Sequence, residues 1–139
     1  AGGGAFGVGI GQRCVEEAAK YAKQRKQFGV SVSTFQSVQN MLADMEIQVQ
    51  ASRQAYLHAA ELMDAGLPFT AEAAIAKTIG TDTGMKCAVD GVQIMGGYGY
   101  MKDYPMEKLM RDAKILQIYE GTNQIQRSVI AGQLLKKYH

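Results

Sequence analysis

Apolar side chains recur in steps of three and four along nearly the whole chain, and prolines interrupt that rhythm at only two places, Pro68 and Pro105. This is the period of an α-helix with one buried face. No segment alternates with period two for long enough to be a credible strand. The pattern predicts an all-α fold: an up-and-down four-helix bundle with one additional short helix between the third and last long ones. A length of 139 residues suits one domain, 1–139, and is too short for two ordinary ones.

Five helical segments follow from the pattern. The first runs from about Gly3 to Gln27, with Gly4, Gly7, Gly11 and Ala18 on one side, where small residues let another backbone approach closely. Each glycine costs about 1 kcal/mol of helix propensity relative to Ala, so close packing must offset it. Gly29 is placed to end this helix as a left-handed C′ residue. The second helix opens on Ser33-Thr34-Phe35-Gln36, an S-x-x-Q capping box. It carries the stripe Phe35, Val38, Leu42, Met45, Val49, Tyr56 and Met63. Pro68 suits the first turn of the third helix, which spans about Thr70 to Met95 with the stripe Ala74, Thr78, Thr81, Met85, Ala88, Val92 and Met95. The run Gly96-Gly97-Tyr98-Gly99-Tyr100 is too rich in glycine to be helical. Pro105 opens a short helix to Leu116 that buries Met106, Leu109, Met110 and Ala113. The last starts near Gly121-Thr122 and carries Ile125, Val129, Gly132 and Leu135.

Composition excludes several classes of function. Fifteen basic against thirteen acidic residues leave a net charge of +2, with no clustered positive excess for nucleic acid or a membrane surface. No apolar run approaches the ~18 residues needed to span a bilayer. No signal peptide is visible, and the glycine-rich start at Ala1 reads as a cut into a longer sequence. Cys14 and Cys87 form no C-x-x-C pattern and read as buried free thiols in a reducing compartment; a disulfide has no sequence support.

Familiar catalytic patterns fail on their own requirements. Gly2-Gly3-Gly4-Ala5-Phe6-Gly7 satisfies G-x-G-x-x-G but lacks the preceding strand that aims a dinucleotide-binding turn. A carboxylate-bridged di-iron bundle needs Glu-x-x-His on two helices, whereas Ala55 precedes His58 at that spacing and the other histidine is His139. No metal site of usual spacing can be assembled. Triads assemble in space, so spacing alone does not decide on a Ser/His/Asp set, and no nucleophile elbow supports one.

Three clusters of polar residues and glycine fall at helix ends: Arg25-Lys26-Gln27-Phe28-Gly29 with Phe35-Gln36, then Gln93 to Tyr100, then Ile118 to Gln124. With the segment PMEKLMRDAK at 105–114, these four motifs (RKQFG…FQ, QIMGGYGY, PMEKLMRDAK and QIYEGTNQIQR) stand in the order and spacing of a known family. The chain resembles the C-terminal helical domain of an acyl-CoA dehydrogenase, from its first residues to about Lys137.

The resemblance implies a flavoenzyme that removes two hydrogens across the α–β bond of an acyl-CoA thioester, with FAD as cofactor. In most of the family the glutamate of the YEGT segment is the catalytic base, and that position is Glu120 here. It takes the α-proton while the β-hydrogen leaves as hydride to the flavin. Some members place the base on the first helix of this domain and replace the YEGT glutamate, so its presence here supports the usual arrangement. The α-proton of a thioester is weakly acidic, so the base needs desolvation and a pKa lifted to roughly 6–7. Ile118 and Tyr119 can supply an apolar flank, and Gly121 lets backbone approach the thioester.

Arg25 is similar to the family arginine that meets the flavin pyrophosphate, a charge-assisted contact. Gln27, Phe28, Phe35 and Gln36 match neighbouring cofactor contacts; Gln93, Gly96 and Gly97 match a second patch facing the ADP half. Both patches serve the flavin of a neighbouring subunit in the family, which implies a homo-oligomer, dimer or tetramer. Thr122, Asn123 and Gln124 sit at a helix N-terminus, where free N–H groups favour phosphate or ribose. Arg111, Asp112 and Lys114 read as structural ion pairing. Electron-transferring flavoprotein is the implied electron acceptor, and the mitochondrial matrix or bacterial cytoplasm the implied compartment. The chain resembles only the last third or so of such an enzyme, without its N-terminal helical and middle β-domains. The expectation for this polypeptide alone is therefore little or no dehydrogenase activity. The competing reading is an inactive helical module whose role is oligomerisation.

Overall fold

The computed structural model describes residues 2–119 and 121–138. Among the described residues six helices follow one another: α1 (Gly2–Gln24), α2 (Gln36–Asp64), α3 (Thr70–Met95), α4 (Gly97–Tyr100), α5 (Met106–Ile118) and α6 (Asn123–Leu135). Helix α3 is the hub, packing against α1, α2, α5 and α6. Its small residues explain this position. Ala76, Gly80, Thr81, Gly84, Cys87, Ala88 and Gly91 are all buried, so neighbours close on it from several sides.

The tightest contact is the expected glycine seam. A Cβ at Gly4 or Gly7 of α1 would overlap the Ala76 or Gly80 carbonyl of α3, and one at Gly84 would lie 2.8 Å from the Gly7 carbonyl oxygen. Dispersion across this backbone-to-backbone contact offsets the poor helix propensity of the glycines. Beside the seam lies the core of Val8, Cys14, Ala18, Met45, Val49, Cys87, Ala88, Met95, Met106 and Ala113. Cys14 and Cys87 are free and fully buried. Burial raises both thiols from 9.0 to about 12.

Five local expectations are corrected. Helix α1 stops at Gln24, and Lys26–Gln27 (β1) pairs antiparallel with Val30–Ser31 (β2). Phe28 and Gly29 both have positive φ, 55° and 82°, and form the hairpin turn, so Gly29 is not a helix C′ residue. Ser31 takes over the helix end, its hydroxyl donating to the Ala22 carbonyl at 2.7 Å. The capping box at 33–36 does not form: residues 32–34 make a 3-10 turn capped by Ser31, and Phe35 precedes α2 with no side-chain cap. Pro68 lies outside α3, which begins after Phe69. Gly97–Tyr100 is helical after all, because Gly99 lies against α3, where a Cβ would come within 2.9 Å of Val92 and Met95.

The fifth correction concerns apolar stripes. Met63 is exposed at the end of α2, and Ile125, Val129, Gly132 and Leu135 of α6 point away from this chain's core. Helix α6 meets α3 through buried Asn123 instead. In α5, Met106 and Ala113 are buried as expected, with Leu109 and Met110 half-buried. Arg111 pairs with Glu107 one turn back at 2.8 Å, which lowers the Glu107 carboxyl below its ordinary range. No described helix is long and apolar enough to cross a membrane.

Candidate functional site

The end of α1, the hairpin, the start of α2 and the α3–α4 junction meet around a cleft of about 560 Å³. Arg25, Gln27 and Phe35 line it from one side of the sequence and Gln93, Gly96 and Gly97 from the other. Six of the predicted cofactor residues, in two segments more than fifty positions apart, therefore share one hollow. Tyr21, Val38, Ile94 and Tyr98 supply apolar wall. Gly96 has φ 62°, and neither Gly96 nor Gly97 would meet anything within 4 Å if it carried a Cβ. The backbone there is bare toward the opening.

Phe28 and Gln36 lie outside this lining. Phe28 is 94% exposed at the hairpin tip, and Gln36 is exposed at the start of α2. The Arg25 guanidinium lies over the Tyr98 ring, 5.8 Å from Cζ to the ring centre.

The third cluster folds quite differently. Lys77, in the middle of α3 and 5% exposed, reaches the turn between α5 and α6. Its Nζ donates to the Gly121 carbonyl at 2.8 Å, to the Gln117 carbonyl at 3.4 Å and to Asn123 Oδ1. Asn123, 3% exposed, donates onward to Thr81 Oγ1 at 2.9 Å and to Asp82 Oδ1 at 2.6 Å. Gln117 also donates to Asp82, and Arg127 pairs with its other carboxylate oxygen at 2.9 Å. Buried charge is tolerated only when surrounded by such partners.

Thr122 caps α6, its Oγ1 accepting from the Ile125 amide at 3.2 Å. The Thr122 and Asn123 side chains are thus engaged within the fold. Gln124 is exposed and borders a hollow of about 520 Å³ with Lys114, Gln117 and Arg127. Tyr119 is 61% exposed, and Gly121 has φ 94°. Glu120 lies outside the described residues. Sequence reasoning missed Tyr21, Tyr98, Lys77 and Asp82. The available signal was Lys77 itself, a single charge in the small and apolar run from Ala73 to Gly80.

Fold and loop geometry together define an all-helical domain built on a glycine-seamed central helix, with polar segments gathered at its inter-helix turns. The family model for the acyl-CoA dehydrogenase C-terminal domain matches residues 2–135. An acyl-CoA dehydrogenase of Bacillus subtilis is 51% identical over 128 residues, covering 92% of this chain and 34% of the relative. The solved butyryl-CoA dehydrogenase of Megasphaera elsdenii superposes with a TM-score of 0.95 at 47% identity, covering 96% of this chain and 35% of that one. A chain in the structure described as the electron transferring flavoprotein of Acidaminococcus fermentans, on flavin-based electron bifurcation, superposes with a TM-score of 0.96 at 48% identity, covering 97% and 36%. The chain belongs to the acyl-CoA dehydrogenase family, as its C-terminal domain. It spans about a third of the length of the curated relatives it matches.

Proposed function

We propose that this domain serves an FAD-dependent acyl-CoA dehydrogenase in two ways: Glu120 takes the α-proton of the acyl-CoA thioester, and the Arg25–Gly97 cleft receives the pyrophosphate and ADP half of FAD at a boundary between subunits. One observation carries the reading. Arg25, Gln27 and Phe35 line the same cleft as Gln93, Gly96 and Gly97.

The residues present fit the group. The Arg25 guanidinium makes no ion pair with a described residue and presents its donors at the cleft, as a diphosphate requires. Bare backbone at Gly96 and Gly97 admits a nucleotide closely. FAD, when bound, supplies the acceptor for the β-hydrogen as hydride. Phe28, Gln36 and Gln124 are exposed and available to a neighbouring copy. At the other turn, Ile118, Tyr119 and Gly121 flank Glu120, and Lys77 fixes the Gly121 carbonyl. Electron-transferring flavoprotein is the acceptor we assign. Buried free thiols suit the mitochondrial matrix or the bacterial cytoplasm.

The test is flavin binding by the purified chain, wild type beside Arg25→Ala, with free FAD removed and flavin absorbance read. Stoichiometric binding abolished by the substitution is the expected result; equal retention by both proteins contradicts the reading. A second reading, an association module without its own chemistry, is favoured by the apolar surface of α6. Ile125 and Leu134 are more than half exposed, Leu135 is 69% exposed, and Tyr138 just beyond is exposed too. Such a surface favours self-association. Sedimentation should show dimers or larger species, and a monodisperse monomer at high concentration counts against it. Acyl-CoA-dependent reduction of an electron acceptor by this chain alone should be negligible.

A further inference from the structure

Arg13, Arg53, Arg111 and Arg127 each donate to an acceptor within the fold: Glu17, Gln12, Glu107 and Asp82. The Arg25 guanidinium donates to none of the described residues and stands over an aromatic ring instead. Tyr98, which supplies that ring, is itself held in a cluster. Tyr21 lies 6.3 Å away centre to centre at a tilt of 53°, and Tyr104 lies 5.6 Å away edge-on at 62°. The three rings join the last turn of α1, the α4 turn and the 101–105 connection, so they tie the two halves of the cleft together.

We propose that Tyr98 is a positioning residue. Its ring holds the Arg25 guanidinium at the cleft, leaving every N–H donor uncommitted for the phosphates of a dinucleotide. The physical reason lies in what each support would cost. A carboxylate partner would fix the arginine equally well but would neutralise it and occupy its donors. An aromatic face attracts the cation through its quadrupole and takes no hydrogen bond. An unsupported arginine at the end of a helix would sample many rotamers, and ordering it on binding would weaken affinity. Tyr98, 42% exposed and buttressed by two further rings, removes much of that cost beforehand.

The proposal rests on the dinucleotide reading of the cleft, and its test separates the two. The probes are the Arg25 Nε–Hε resonance of the free chain and titration with ADP at up to millimolar concentration, for wild type, Tyr98→Leu and Tyr98→Phe. In wild type the Arg25 resonance should be ring-shifted upfield and should move on adding ADP. Tyr98→Leu should lose the ring shift and bind ADP about three- to tenfold more weakly. Tyr98→Phe keeps the ring and should retain both, which separates the cation–ring contact from any general loss of packing. Unchanged ADP affinity or an unchanged Arg25 resonance in Tyr98→Leu overturns the assignment of Tyr98. No ADP binding by a wild-type chain whose ring shift is intact overturns the dinucleotide reading instead, and with it the purpose given to Tyr98.

Discussion

The two polar regions of this molecule treat their charged side chains in opposite ways. At the α5–α6 turn, Lys77 is buried and its ammonium group reaches two carbonyls and Asn123, while Asp82 gathers Gln117, Asn123 and Arg127. At the cleft, Arg25 is exposed and rests on the Tyr98 ring with its donors uncommitted. A site that must hold a turn rigidly satisfies its polar groups internally; a site that must receive an anion keeps donors free. On the function proposed above, the first arrangement serves stability and the second binding, so substitutions at the two ends should separate these properties.

The largest effect is expected from Lys77→Met. It strips the Gly121 carbonyl and Asn123 of a donor inside the protein, which should cost about 2–4 kcal/mol and show as a lower urea midpoint. Gly80→Ala should follow, at about 1–3 kcal/mol, because the new methyl meets the Gly4 backbone. At the cleft, Gly97→Ala has open space and should leave the midpoint within about 0.5 kcal/mol, so the pair contrasts seam with cleft directly.

The buried thiols give a graded test. Their folded pKa, about 12, lies above the unfolded value of 9.0, so their stabilising contribution is complete below pH 9 and declines as pH rises toward 12. Each thiol should lower stability by about 1.4 kcal/mol per pH unit in that window. Replacing both by Ala should flatten the profile above pH 9, and the native thiols should resist alkylation at pH 8. Arg25→Ala should be as small in effect as Gly97→Ala, within about 0.5 kcal/mol on stability.

These contrasts also mark what the sequence reveals. The seam was legible because Gly4, Gly7, Gly11 and Ala18 share one helical face, a pattern with few uses besides close packing. The five longer helices were legible in the stripes, but the four-residue helix at Gly97–Tyr100 was not. The hairpin at 26–31 was not, since a two-residue ladder is too short to show period two. Lys77 was hidden for a different reason: a lysine in a helix ordinarily reads as solvated, and its acceptors lie forty or more positions away. The α6 stripe showed an apolar face correctly but could not show that it turns from this chain's own core. Arg25, Phe35, Gly96 and Gly97 were brought together at the outset by resemblance alone. Spacing left them as an ordinary surface charge, a core ring and a helix-end turn.

The most direct measurement is urea unfolding of wild type and Arg25→Ala, each with and without excess FAD. Without FAD the midpoints should nearly coincide, because the Arg25 side chain makes no hydrogen bond or ion pair with a described residue and alanine keeps its backbone bonds to Tyr21 and Val32. With FAD the wild-type midpoint should rise and that of Arg25→Ala should not, as expected for a ligand that binds the native state through that side chain. A midpoint that already falls in Arg25→Ala without FAD, or that FAD leaves unmoved in wild type, would contradict the division between a turn built for stability and a cleft built for binding.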